Sequence, residues 1–140
     1  MKMSTVVRTT TKLISPFLVT YAVYLMIYGH LSPGGGFQAG VVLAVSVILL
    51  ITSHGYKKVR KRFKFKEVGM IENISAVFLV SLGLIGFMFG SFFYNFLTKG
   101  QFGSVISGGI IPLFNISVGL KVGAAFTFVF YILLRWVESD

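Results

Sequence analysis

Three side chains in this sequence have the chemistry to carry a proton or meet a cation: Lys121, Glu72 and His30. Lys121 lies nine residues beyond Pro112 in an otherwise apolar run, about 13 Å along a helix at 1.5 Å per residue. An ammonium at the centre of a spanning helix costs about 2.5 to 3.5 kcal/mol on insertion scales, so it must face protein or water and find a partner. Charged lysine has no lone pair and cannot ligate Na⁺ directly, which leaves electrostatic gating or proton relay. The competing reading is structural: the amine snorkels to the outer interface, or pairs with a carboxylate of another subunit. Glu72, beside Asn73 and Ser75, offers oxygen ligands suited to a hard cation or an entry point for protons. A carboxylate at the start of a helix, as Glu67 also is, equally serves the helix dipole for about 0.3 to 1 kcal/mol. His30 is a candidate proton-linked group, although an imidazole at a helix end is ordinary.

His30 and His54 fall on opposite expected membrane faces, so they cannot share a metal. There is no cysteine, which removes disulfides, thiolate metal sites, iron–sulfur ligation and a cysteine nucleophile within this chain. No metal, cofactor or catalytic constellation is expected, and redox chemistry would have to belong to partners.

The elements that position these residues are set by composition. The 140 residues are 55% hydrophobic and 12% charged, against about 25% charged in soluble domains. Mean hydropathy is +0.85, and too few polar side chains remain to cover a water-facing surface. Four apolar runs, at about 13–30, 37–54, 68–97 and 112–137, each approach or exceed the roughly 17 to 25 residues needed to span a bilayer. The third exceeds a 30 Å core and should tilt or protrude. Runs such as Val41 to Ile51 do not alternate in polarity, which excludes a barrel. The expected fold is all-α, one domain over 1–140 with four transmembrane helices. Pro16 is placed near the start of the first helix, where its missing N–H is harmless. Lys2, Arg8 and Lys12 precede that helix, but no small-residue cleavage site follows, so it reads as an uncleaved span.

Charge then orients the chain. Thirteen Lys and Arg against four Asp and Glu leave +9. They cluster before the first helix, in the second connection (Lys57, Lys58, Arg60, Lys61, Arg62, Lys64, Lys66) and at Arg135, while the first connection has none and the third only Lys99. Both termini are therefore expected in the cytoplasm of a multi-pass plasma-membrane protein. The Lys57–Lys66 loop is suited to anionic lipid headgroups, and nucleic acid is not an expected partner.

The first outer connection and the turn after it read Gly29-His30-Leu31-Ser32-Pro33-Gly34-Gly35-Gly36-Phe37-Gln38-Ala39-Gly40. Three consecutive glycines allow close backbone approach by a neighbour. The helix start beside Gln38 has free N–H groups for an anion, a water or a partner's polar chain. A P-loop is excluded, since its Lys and Ser/Thr are missing. This stretch resembles the hallmark of the B subunit of Mrp-type multisubunit Na⁺/H⁺ antiporters and of the homologous subunit in archaeal membrane-bound hydrogenase and sulfur-reducing complexes. Similarity in length, span number and basic central loop covers essentially the whole chain. The run Pro112 to Gly123 looks closer to the archaeal respiratory members. The resemblance implies a small accessory subunit of a cation-translocating module whose large pumping partners are separate polypeptides. It assigns no ion site to Lys121.

Gly36 and Gly40, Gly86 and Gly90, and Gly119 and Gly123 form three G-x-x-x-G pairs, each placing two glycines on one helix face. With the apolar, glycine-rich connection from Gly100 to Pro112, whose composition suits a segment re-entering the membrane, they point to tight packing with other subunits. Two functions remain open: a path for Na⁺ or H⁺ using Lys121, Glu72 and His30, or a scaffold that conducts nothing; in either case the chain is inactive alone. The topology has a direct check: cysteine at Ser32 should react with an impermeant maleimide from outside, and cysteine at Arg60 only from inside. The reverse pattern would invert the assignment.

Overall fold

The computed structural model describes residues 4–97 and 100–137. Lys2 and Lys99, used above for orientation, lie outside the described residues. The described residues hold five α-helices: α1 (Thr5–Tyr28), α2 (Gly36–His54), α3 (Tyr56–Arg62), α4 (Phe65–Met88) and α5 (Ile111–Val137), with a 3-10 turn at Val105–Gly108. Four of them, α1, α2, α4 and α5, are long and apolar enough to cross a membrane. Among the described residues there is no strand.

Three expected boundaries are corrected. The first helix begins at Thr5, capped by the Ser4 hydroxyl accepting from the Val7 N–H (3.4 Å), so Pro16 sits inside it. A proline there removes one backbone donor, a loss that spanning helices tolerate when neighbours re-satisfy the freed groups. Close by, Ser46 of α2 donates its hydroxyl to the Ser15 carbonyl at 3.2 Å. The third helix ends at Met88 rather than Leu97, with Gly90 at φ 139° just beyond it. Apolar residues continue through Leu97, so hydropathy has no way to register the stop. The chain doubles back instead: the Phe93 N–H reaches the Gly83 carbonyl (3.4 Å), and a Cβ at Gly86 would lie 2.6 Å from the Tyr94 nitrogen. Gly86 and Gly90 are therefore not a helix-packing pair. Third, the basic connection contains a helix of its own, α3, whose Val59 is buried while Lys57, Lys58, Arg60, Lys61 and Arg62 are exposed.

Helix α5 occupies the centre of the arrangement, packing against α2 on one side and α4 on the other, with α1 laid mainly on α2. The α2–α5 contact is made by glycine. Ideal Cβ atoms would lie 2.7 Å from the Gly119 carbonyl at Gly40, and 3.2 Å from the Gly40 carbonyl at Gly123. The pairs Gly36/Gly40 and Gly119/Gly123 thus face each other within one chain, so the close neighbour anticipated for the glycine motif is its own α5. Such contact compensates for the missing hydrophobic drive in lipid by bringing backbones together.

The core is correspondingly small. Ala22, Ala39 and Tyr131 are fully buried, whereas Phe17, Phe87 and Met88 are 70%, 68% and 85% exposed. At the basic end, Val47, Ile51, Val59, Val68, Ala124 and Tyr131 pack together. There the Tyr131 hydroxyl donates to the Phe63 carbonyl at 3.0 Å, tying α5 to the end of α3.

Gly40→Ala should lower stability by about 1 to 3 kcal/mol, because its methyl has no room between α2 and α5. At Gly69 a Cβ meets only the Phe128 ring, at an ordinary 3.6 Å. Gly69→Ala should therefore be neutral or gain up to about 1 kcal/mol from helix propensity. Thermal unfolding in detergent distinguishes them, and equal melting temperatures would refute the glycine contact.

Candidate functional site

Helices α4 and α5 run antiparallel, and their register brings two of the three candidate residues together. The Lys121 Nζ lies 3.5 Å from the Glu72 Oε1, an ion pair well inside both spans. Glu72 is seven residues into α4 and Lys121 ten residues into α5, roughly 10 and 15 Å from the helix starts. Within its own chain the lysine thus has a carboxylate partner, and that glutamate lies beyond the first turn of its helix. The side chains remain 39% and 29% exposed, so the pair opens onto the outer face of the α4–α5 seam.

Phe114, Lys121 and Phe128 recur every seven residues, two helical turns, along one stripe of α5. Phe128 packs its ring on Phe65 with centroids 4.3 Å apart, and Phe114 meets Phe93 edge-on at 5.3 Å. The ion pair is therefore bracketed along the seam by an aromatic pair on either side. The rings flank the pair along the seam, while laterally it stays partly open. A small cation or a proton arriving here would meet a carboxylate already held by an ammonium. Displacing that ammonium frees an oxygen ligand, and restoring it expels the cation. That exchange is the chemistry the arrangement can support.

His30 is not part of this cluster. It sits at the glycine-loop end, its Nε2 2.9 Å from the Ser107 hydroxyl and 3.3 Å from the Ser104 carbonyl, with its ring against Gly108. Its Nδ1 is buried without a hydrogen-bond partner among the described residues. The imidazole clamps the 3-10 turn of the last connection onto the first one. The same connection is held by Asn95, whose side chain accepts from the Ile110 N–H (3.0 Å) and donates to the Gly108 carbonyl (3.3 Å). The connection from Gly100 to Pro112, whose composition suited a re-entrant segment, thus carries a 3-10 turn docked against His30. His54, at the other end of the bundle, bonds its Nδ1 to the neighbouring Ser53 hydroxyl at 2.7 Å.

The glycine motif is closed from within. The Gln38 Oε1 accepts from the Gly35 N–H at 3.0 Å, and the Asn115 Oδ1 accepts from the Gly36 N–H at 3.3 Å. Two donors expected to be open to an anion are thereby taken. A Cβ at Gly36 would lie 2.5 Å from the Asn115 carbonyl oxygen and one at Gly29 2.7 Å from its Nδ2, whereas Gly35 has ordinary room. Gly34 takes φ 137°, a turn conformation that favours glycine. Pro33 is exposed in this turn, and Phe37 projects outward, 56% exposed. Asn115 is the residue that sequence reasoning undervalued. An amide three residues past Pro112, in an otherwise apolar run, was the available signal. Among the described residues no group of His, Asp and Glu is placed to hold a metal.

Comparison with known proteins fits this geometry. Residues 6–128 match the family described as a domain related to the MnhB subunit of Na⁺/H⁺ antiporter. The B subunit of a Na⁺/H⁺ antiporter from Bacillus subtilis is 30% identical over 121 residues, 84% of this chain and 83% of that protein. An uncharacterised protein of Methanocaldococcus jannaschii is 33% identical over 115 residues, 77% of this chain. A chain in the membrane-bound sulfane sulfur reductase, an archaeal respiratory membrane complex, superposes with a TM-score of 0.81 at 28% identity over 95% of this chain. This chain spans 44% of the Methanocaldococcus protein and 59% of the reductase chain. With four spanning helices and these relatives, it is a multi-pass plasma-membrane protein, and it belongs to the family of domains related to the MnhB subunit of Na⁺/H⁺ antiporters.

Proposed function

We propose that the chain is an accessory membrane subunit of a Na⁺/H⁺ antiporter-like cation-translocating module, and that the Lys121–Glu72 pair is its contribution to the ion path. The observation that carries this reading is the pair itself: two opposite charges 3.5 Å apart, deep in the α4–α5 seam and still partly open to a neighbour. Ionisable side chains at such depth are expensive, and a purely structural seam of Phe, Gly and Ala would avoid the cost. Membership in an antiporter-subunit family supports Na⁺ or H⁺ as the cargo, and the resemblance of the Pro112–Gly123 run to archaeal respiratory members favours a redox-driven assembly. The pair moves charge only when a neighbouring subunit completes the seam, so the chain has no catalysis of its own.

The remaining parts serve assembly and orientation. His30 acts as a clamp at the glycine-loop end rather than as a relay, because Lys121 lies about 15 Å down α5 from that end. The exposed cations of α3 with Lys64 and Lys66 face the cytoplasm, where they hold anionic lipid headgroups; each such charge near the surface is worth about 1 kcal/mol.

Lys121→Ala in the intact assembly should reduce Na⁺/H⁺ exchange at least tenfold in vesicles, while co-purification of the other subunits persists. Because a lone Glu72 is itself costly in the seam, Glu72→Gln/Lys121→Gln is the companion variant: it removes both charges, should assemble normally, and should still fail to exchange. Wild-type exchange in the assembled double variant would leave only the scaffold reading.

A further inference from the structure

Helix α4 is the least covered of the four spans, and it packs chiefly on α5. Most of its outward face suits lipid: Ile74, Val77 and Phe78 are 64%, 66% and 44% exposed. Asn73 does not suit it. The residue is exposed on that face, seven residues and about 10 Å deeper than Lys66, the last cation before the span. Its amide has two donor hydrogens and an acceptor oxygen, and no hydrogen bond satisfies them among the described residues. Its short side chain cannot snorkel to the headgroups as Lys and Arg do. Hydrocarbon offers no partner, and an amide left unpaired there is strongly unfavourable.

Asn73, Val77 and Ser81 succeed each other at four-residue intervals, on one face of the helix. With Ile74 and Phe78 they line a shallow groove. The Ser81 hydroxyl donates back to the Val77 carbonyl at 2.8 Å, which leaves its oxygen lone pairs facing outward as acceptors. A polar group at each end of an apolar groove is the pattern by which spanning helices recognise one another.

We infer that the Asn73–Val77–Ser81 face of α4 is covered by a transmembrane helix of a neighbouring subunit, which brings a hydrogen-bonding side chain (amide, hydroxyl or carboxyl) to the Asn73 amide. The inference rests on the reading of the chain as a subunit of a larger assembly, and it specifies which surface that assembly covers.

The test places the photoreactive residue p-benzoylphenylalanine at Val77 in the full chain within its native membrane assembly, with mass spectrometry of the adducts after irradiation. The expected product is a cross-link to an apolar span of one co-purifying subunit that carries a polar side chain near the attachment point. Adding Asn73→Leu should cut its yield at least fivefold, while Asn73→Gln, which keeps the amide, should retain most of it. Lipid adducts alone, a cross-link to a second copy of this chain, or a yield insensitive to Asn73→Leu would each overturn the inference. If the assembly still co-purifies in those cases, the subunit reading stands. Failure of any antiporter-type subunit to co-purify with the unmodified chain would instead overturn the subunit reading first.

Discussion

The absence of water in the bilayer interior is the constraint on which this structure depends. A polar group there has no solvent to fall back on, so each one must be satisfied by the chain, by a neighbour, or by another polar group at the same depth. The buried hydroxyls follow the first course: those of Ser75, Ser117 and Thr127 each donate to the carbonyl four residues earlier, at 2.7 to 2.8 Å. The ion pair of Lys121 and Glu72 follows the third. Where the requirement is unmet within the chain at an exposed position along a span, as at Asn73, the fold points beyond itself.

The same constraint explains why glycine dominates the contacts. Lipid tails are as apolar as leucine, so burying large side chains between helices gains little, and close van der Waals approach must hold them. Gly36 and Gly40 against Gly119 and Gly123 provide that approach between α2 and α5. Large aromatic residues are displaced outward or used as plugs along the α4–α5 seam, where Phe65 with Phe128 and Phe93 with Phe114 flank the charges. Packing and electrostatics are thus coupled: the α2–α5 contact holds the central helix, and the central helix fixes the depth at which Lys121 meets Glu72.

The two ends of the bundle are built differently. At the glycine-loop end, Asn115 and Asn95 accept from the Gly36 and Ile110 N–H groups, closing donors that a helix terminus would otherwise present, and His30 bonds the Ser107 hydroxyl of the last connection. At the basic end, α3 buries Val59 and Phe63 receives the Tyr131 hydroxyl through its carbonyl, while the cations face outward. One end is locked by amides and glycines, the other is a charged platform.

By itself the sequence determined the four spans, the all-helical class and the family, because hydropathy, charge segregation and the Gly29–Gly40 motif are properties of residue order alone. It singled out Lys121 and Glu72 separately, since a charge in an apolar run is visible without a fold. It could not pair them: residues 49 positions apart meet only through the antiparallel register of α4 and α5. Nor could it end the third helix at Met88, because the residues that turn back along α4 are as apolar as those that span, and only the tight contacts of Gly83 and Gly86 with the returning chain decide the matter. Likewise the G-x-x-x-G pairs announced close approach, but whether to a neighbour or to the chain itself was decided in three dimensions, where the carbonyls of Gly40 and Gly119 lie within van der Waals reach of the opposing glycines.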